Sequence, residues 1–241
     1  MREYPRTAAY DPEWVAANWM GPNPLWLLEE LCEHLDLRPG MKVLDLGCGK
    51  GLTSVFLAKE FGVTVFANDL WIPATENLKR FEEAGVAGLV YPIHAEAHAL
   101  PYAEEFFDAV IAVDSYHYFG TDEAFFPGVF SKLVKPGGQL GAVCPGYVRE
   151  YERGYPDTLK HLINPDMYTF HSKGWWRYLW EKTGLADITA CYDMQDPKDI
   201  WWPWAIWERE HLPFNDWEFL ESDTGNELAF IVMTAVKKAA E

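Results

Sequence analysis

The hydrophobic positions along the chain follow two patterns. From Met41 onward, short β-branched runs alternate with amphipathic stretches: "KVLDLG", "VTVFAND", "GLVYPIHA", "DAVIAVDS" and "GQLGAVCP". Five strands with helices between them give the βαβ rhythm of a parallel sheet. Ahead of Met41 the pattern is helical. Asp11-Pro12 and Asn23-Pro24 each place a capping side chain before a proline suited to the first helical position, so two helices are predicted to begin there. The second runs through "PLWLLEELCEHL", apolar on one face.

"LVKPGGQLGAV" reads as a helix end, a tight Pro-Gly-Gly turn and a buried strand. Beyond Cys144 the rhythm loosens. A Tyr- and Gly-rich region, residues 146–170, precedes a helix starting near Ser172 and the strand "DITACYD". The Trp-rich "DIWWPWAIWERE" follows, where Pro203 is expected to block a simple helix, and "ELAFIVMTAVKK" is the closing strand. No internal repeat or low-complexity linker divides the chain, which predicts a single compact unit.

Length and charge narrow the function classes. At 241 residues the chain suits one elaborated α/β domain or at most two small ones. Its formal charge of −17 would repel DNA or RNA at long range, so a small, neutral or cationic partner fits better. The N-terminus lacks the apolar core of a signal peptide and no uncharged apolar run is long enough to span a membrane; a cytoplasmic protein is expected. Cys32, Cys48, Cys144 and Cys191 are scattered without a C-x-x-C pair, which predicts reduced thiols and no metal site.

The densest chemical signal is "VLDLGCGKGLTSVFLA". A strand ending in glycines and passing into a helix N-terminus exposes backbone N–H groups and lets a ligand approach the main chain. Gly47, Gly49 and Gly51 form G-x-G-x-G, whereas a dinucleotide fingerprint would need glycine at Leu52. A Walker-type G-K-[ST] ending is missing too, because Lys50 is followed by Gly51. NAD and ATP both lose ground.

The stretch resembles the first motif of the class I S-adenosylmethionine-dependent methyltransferases, in particular the small-molecule branch often called the methyltransferase 11 or UbiE-like group. The likeness extends over residues 40–145. It implies that the turn around Gly47, Cys48, Gly49 and Gly51 wraps the amino-acid part of the cofactor, while Asp45 helps hold its ammonium group. "FANDL" then places Asp69, with Leu70 beside it, where a carboxylate accepts the ribose hydroxyls. "AEAHALPY" resembles the family's "GDAxxLPF", which implies Glu96 at the adenine amino group and the Ala97 backbone facing the ring; Glu in place of Asp must fold back its longer arm. "LVKPGGQL" completes the series.

The resemblance implies an α/β, Rossmann-like fold: a seven-stranded, mostly parallel sheet of order 3-2-1-4-5-7-6, the last strand antiparallel, with helices on both faces. Residues 1–39 would form an N-terminal helical lid, 40–145 the cofactor-binding core, and 146–241 a part bearing substrate-side insertions. The cofactor implied is S-adenosyl-L-methionine, with S-adenosyl-L-homocysteine as product.

Methyl transfer is an in-line displacement, so the protein mainly positions the acceptor. The loop Asp114-Ser115-Tyr116-His117-Tyr118 is expected at the carboxyl end of the fourth strand, where ligands bind in open α/β sheets. His117 is a candidate general base or a packed histidine; Asp114 and Tyr116 are candidates to line the cofactor or substrate. The [DNS]-P-P-[YFW] signature of nucleic-acid amino-methyltransferases is absent from this loop.

Of twelve tryptophans only Trp71 falls within residues 41–144. The others accompany the N-terminal helices and the region after residue 170, making Tyr10, Trp19, Tyr118, Trp201 and Trp204 candidate substrate-binding residues, with "MGPNPLW" as a further wall. Beside acidic residues such rings suit a cationic amine or sulfonium, or a flat apolar acceptor; equally they could fill a lid or a dimer contact, in a monomer or homodimer. Methylation of a small-molecule N, O or S nucleophile is the expected function. The rivals are a cyclopropane-synthase-like lipid modification, a non-catalytic cofactor-binding module and an NAD-dependent oxidoreductase.

Overall fold

The structure, a computed structural model, describes residues 2–239. Among them seven strands make one sheet in the order β3-β2-β1-β4-β5-β7-β6. These are β1 (Lys42–Leu46), β2 (Thr64–Asp69), β3 (Val90–His94), β4 (Phe107–Val113), β5 (Val134–Tyr147), β6 (Ala186–Asp193) and β7 (Leu228–Lys237). The first five are mutually parallel, and β7 runs antiparallel to both β5 and β6. The expected order and the antiparallel last strand are therefore both present.

Alternate residues of each strand feed two separate cores. Val43, Val65, Ala109 and Ile111 join one face. It is covered by α2 (Pro24–Cys32), α3 (Leu52–Phe61), Phe81 of α4 (Ala74–Glu83), α8 (Pro197–His211) and α9 (Asp216–Ser222). Leu44, Val110, Ala112 and Leu140 join the other, packed by α5 (Tyr116–Phe119), a π-turn at Phe126–Phe130 leading into α6 (Ser131–Leu133), and α7 (Lys173–Glu181). That second core is strongly aromatic: Tyr116 meets Phe125, Phe130, Trp176 and Trp180.

The helix starts follow their caps. Asp11 accepts the Glu13 N–H at the head of α1 (Pro12–Ala17), Asn23 those of Leu25 and Trp26, and Ser172 that of Trp175. α2 ends at Cys32, short of the predicted Leu35. The N-terminal segment is strapped across α2 by two buried acids. Glu29 accepts the backbone N–H groups of Arg6 and Thr7 and the Thr7 hydroxyl, and Glu30 accepts the hydroxyls of Tyr4 and Tyr192.

Two local expectations are corrected. The Pro-Gly-Gly stretch is a bulge inside β5, because Phe107 pairs with Val134 while Ala109 already pairs with Gln139. Pro203 does not break α8, which runs through it from Pro197 to His211. Proline there removes one backbone hydrogen bond, but Ile200, Trp201, Trp204, Ala205 and Glu208 form one buried stripe at helical spacing. Burial of that stripe outweighs the missing bond.

Candidate functional site

β1 ends in the glycine turn, and the chain re-enters helix at Leu52. The N–H groups of Gly47 and Cys48 both donate to the Asn68 carbonyl, tying the turn to β2. Gly47 holds φ +76°, and a Cβ on it would stand 2.4 Å from the Ser115 Cβ. Ser115, at the end of β4, is fixed by a 2.7 Å bond from its hydroxyl to the Leu46 carbonyl. The ends of β1 and β4 therefore meet across a residue that must lack a side chain.

Above this junction lies a cavity of about 250 Å³, lined by Gly47, Cys48, Gly49 and Lys50 of the turn. Asp69 at the end of β2 with Leu70 beyond it, Glu96 and Ala97 after β3, and Asp114, Ser115 and Tyr118 after β4 add to its walls. Asn18, Met20, Gly21 and Pro22 roof it, so the "MGPNPLW" stretch does form a wall. Trp71, His98 and Phe119 are wall residues that sequence reasoning did not assign. Trp71 directly follows Asp69-Leu70, and His98 sits inside "AEAHALPY"; both were adjacent to a recognised signal.

The carboxylates differ in their surroundings. Asp69 Oδ2 accepts the Gly49 N–H at 2.8 Å, and Oδ1 accepts those of Trp71 and Ile72. It thereby braces both loops and keeps a lone pair on Oδ2 for an incoming hydroxyl. Glu96 does fold back: it accepts the His98 backbone N–H at 2.7 Å and the ring Nδ1 at 2.8 Å. Burial raises its pKa, but the His98 donors outweigh burial and hold it below the usual value.

Asp45 lies beneath the turn, off the cavity wall. Its Oδ2 accepts the hydroxyls of Thr53 and Ser54 at 2.6 Å each, while the buried Oδ1 has no partner. Burial, against the pull of those two hydroxyls, pushes its carboxyl up to about 6. Gly51 is also below the wall, where its Cα packs against Phe81.

Asp114 stands at φ +53°, a left-handed conformation rare for a non-glycine residue. Its backbone N–H bonds the Val143 carbonyl, and its side chain faces the cavity. Burial, and then the neighbouring charge of Asp216, raise its carboxyl to about 8. Tyr118 is at the cavity mouth, its ring edge-on to Trp71 at 5.3 Å.

The remaining candidates are not on the wall. Tyr116 is fully buried in the second core, its hydroxyl accepting from Trp180 Nε1 at 3.0 Å. His117 is 2% exposed, its ring tilted against Tyr118 and edge-on to Phe170, with Nδ1 unpartnered, and burial lowers its pKa to about 3. Trp19 packs against the first core, and Tyr10 lies over α3 with its hydroxyl on Glu60. Trp201 and Trp204 are buried and lie off the cavity wall. Both indoles donate to Asp216 Oδ2 at 3.0 Å, which places them behind the acid that acts on Asp114. No sequence signal pointed to Asp216, far along the chain on a short helix.

A family profile described as "Methyltransferase domain" matches residues 43–138, the stretch that carries every wall residue after the roof. Residues 43–138 are a methyltransferase domain. That domain assignment does not extend to the UbiE-like branch. The methyltransferase GfsG of Streptomyces halstedii is 34% identical over 116 residues, covering 47% of this chain and 41% of that protein. Phosphoethanolamine N-methyltransferase 3 of Arabidopsis thaliana is 31% identical over 165 residues, 67% of this chain and 32% of that one. The chain thus spans less than half the length of these curated relatives. Phosphoethanolamine N-methyltransferase 2 of Haemonchus contortus, solved with S-adenosyl-L-methionine, has the same fold: TM-score 0.72 at 21% identity, covering 94% of this chain and 56% of that one. No helix among the described residues is long and apolar enough to cross a membrane.

Proposed function

We propose that this protein transfers a methyl group from S-adenosyl-L-methionine to a small-molecule acceptor. The observation that carries the reading is the junction of Gly47 with Ser115, which opens one cavity onto the glycine turn, Asp69 and Glu96 together. The residues fit that cofactor. The unpartnered Asp45 Oδ1 lies under the turn, suited to reach an ammonium group through a water. Asp69 Oδ2 retains an acceptor site for a ribose hydroxyl, and Glu96 with the Ala97 backbone lies at the other end for the base. When bound, the cofactor supplies an electrophilic methyl carbon: the acceptor's lone pair forms the new bond as the carbon–sulfur bonding pair leaves with sulfur.

The chain's own contribution is position and proton handling. The roof at Met20–Pro22 limits water, and Asp114 faces the acceptor side with a carboxyl able to take a proton near neutral pH. His117 is poorly suited to that task, being off the wall and held unprotonated by burial. Its role in this reading is packing beneath Tyr118. The described chain acts as one unit, its N-terminal part supplying the roof through Asn18 and Met20–Pro22.

Isothermal calorimetry tests the reading. S-adenosyl-L-methionine and S-adenosyl-L-homocysteine should bind with micromolar-order affinity, about 8 kcal/mol, and NAD should give no signal. Binding of NAD with no response to either sulfur ligand would reverse the assignment.

A further inference from the structure

We propose that the methyl acceptor is an amine that binds as a cation and carries no phosphate, received by Asp114 with Asp216 behind it; its N–H proton passes to the Asp114 carboxylate, and the freed nitrogen lone pair then takes the methyl group. The inference rests on the methyltransferase reading and names the acceptor class for the same cavity. It starts from how the charges are distributed. Asp114 presents its carboxylate to the cavity from a left-handed backbone position, and no described residue donates a hydrogen bond to it. Gly21 passes so close on one side that a Cβ there would stand 2.5 Å from Asp114 Oδ2. The carboxylate is thus fixed by the backbone around it and left chemically unanswered.

The groups that face it add negative charge. Asp216 of α9 acts on Asp114, and Tyr118 senses Asp114, Asp166 and Asp216 together. Asp166 heads the short 3-10 helix at Asp166–Thr169, which packs against α5. Behind Asp216, Glu208 of α8 accepts the Asp216 backbone N–H at 3.0 Å, and burial followed by the Asp216 charge raises its carboxyl to about 7. On the β5 side the Asp114 charge meets the buried Cys144 thiol. Lys50 is the one lysine or arginine among the described wall residues, and its ammonium already donates to the Ala17 carbonyl at 3.3 Å. His98, the other basic wall residue, is held by Glu96 and Asp122.

An anionic acceptor entering beside Asp114 would meet the Asp114–Asp216 pair, with Lys50 of the glycine turn the one lysine or arginine on the described wall, whereas an ammonium group supplies the charge that pair lacks. The mouth suits the same ligand. Trp71 and Tyr118, both substantially exposed, present ring surface beside the carboxylate, which attracts a cation further. Asp216 is not free to turn away, since two indole N–H groups grip its Oδ2. The tryptophan cluster therefore sets acceptor charge from behind, through the acid that it holds.

A proton count gives a readout independent of catalysis. The Asp114 carboxyl is largely protonated at pH 7 in the empty site, and pairing with an ammonium ionises it, so binding should release about one proton to the buffer. A neutral acceptor would release none.

The test uses calorimetry on the full chain saturated with S-adenosyl-L-homocysteine, with three probes: choline, its neutral isostere 3,3-dimethylbutan-1-ol, and phosphocholine. Choline should bind at least tenfold more tightly than either, with close to one proton released at pH 7 when phosphate and Tris buffers are compared. Asp114→Asn should bring choline to within threefold of the neutral isostere, and Asp216→Asn, which keeps an oxygen for the two indoles, should at least halve the proton release. Equal binding of choline and the alcohol, or tighter binding of phosphocholine, overturns the proposal while leaving the methyltransferase reading intact. Failure of the unaltered protein to take up S-adenosyl-L-homocysteine removes that reading and this inference with it.

Discussion

Gly47→Ala tests the junction on which the site is built. The new methyl group would stand 2.4 Å from the Ser115 Cβ and 2.6 Å from its Oγ, at a backbone φ of +76°. Left-handed backbone costs a non-glycine residue about 1–2 kcal/mol, and forcing a methyl group into packed surroundings about 1–3 kcal/mol, so roughly 2–5 kcal/mol in all is expected. Urea unfolding at fixed pH measures that loss, and S-adenosyl-L-homocysteine titration measures the effect on the site. A second substitution separates the two terms. Ser115→Gly removes the atoms struck, at a cost of about 1 kcal/mol for the lost bond to the Leu46 carbonyl plus up to about 1 kcal/mol of added chain freedom. In the double variant the steric part should vanish, making it at least about 1 kcal/mol more stable than the sum of the singles predicts. Additive losses, or a Gly47→Ala protein as stable as the parent, would refute the claim that β1 and β4 meet through this missing side chain.

Asp69→Ala should weaken S-adenosyl-L-homocysteine by about 1.5–3 kcal/mol, the range for hydrogen bonds to a charged group; unchanged affinity with a lowered melting temperature would make it a loop brace only. The Asp114 carboxyl, raised in the folded protein to about 8 from about 4 unfolded, contributes stability that is fully present below about pH 4 and lost as pH rises through 8. Asp114→Asn should therefore flatten the decline in unfolding free energy between pH 5 and 8, by at most about 1.4 kcal/mol per pH unit; an unchanged slope in urea titrations would contradict the raised value. His117→Asn should leave turnover within about tenfold of the parent once an acceptor is in hand, since a group that titrates near 3 and lies off the wall is a weak base. A hundredfold drop with normal cofactor binding would restore the general-base role.

What the sequence made legible was what local pattern encodes. Strand periodicity, caps such as Asp11 and Asn23, and the glycine spacing each depend on neighbouring residues, and all of them appear where expected. The errors came where distant contacts overrule local rules. Pro203 reads as a break because proline lacks an N–H, yet a stripe of buried side chains holds α8 together around it. Trp201 and Trp204 read as a cage because aromatic clusters suit cations, but their N–H groups needed a buried acceptor and found Asp216. Asp216 itself was invisible, since nothing in "FNDWEF" distinguishes an acid that folding carries to β4 from one left in water. Asp45 was recognised as part of a motif, but only the structure separates a carboxylate under the floor from one on the wall.

The strap across α2 bears on the tempo of the protein. Met20 and Gly21 roof the cavity, and the segment leading to them is moored further back by the Glu29 and Glu30 carboxylates. If a molecule as long as an adenosyl amino acid leaves only when that roof lifts, how far it lifts depends on how firmly the moorings hold. The exchange of spent cofactor for fresh would then set a speed limit common to every acceptor, governed by residues that touch neither ligand. Hydrogen exchange at the Arg6 and Thr7 amides would register the same opening, so one clock would read both events.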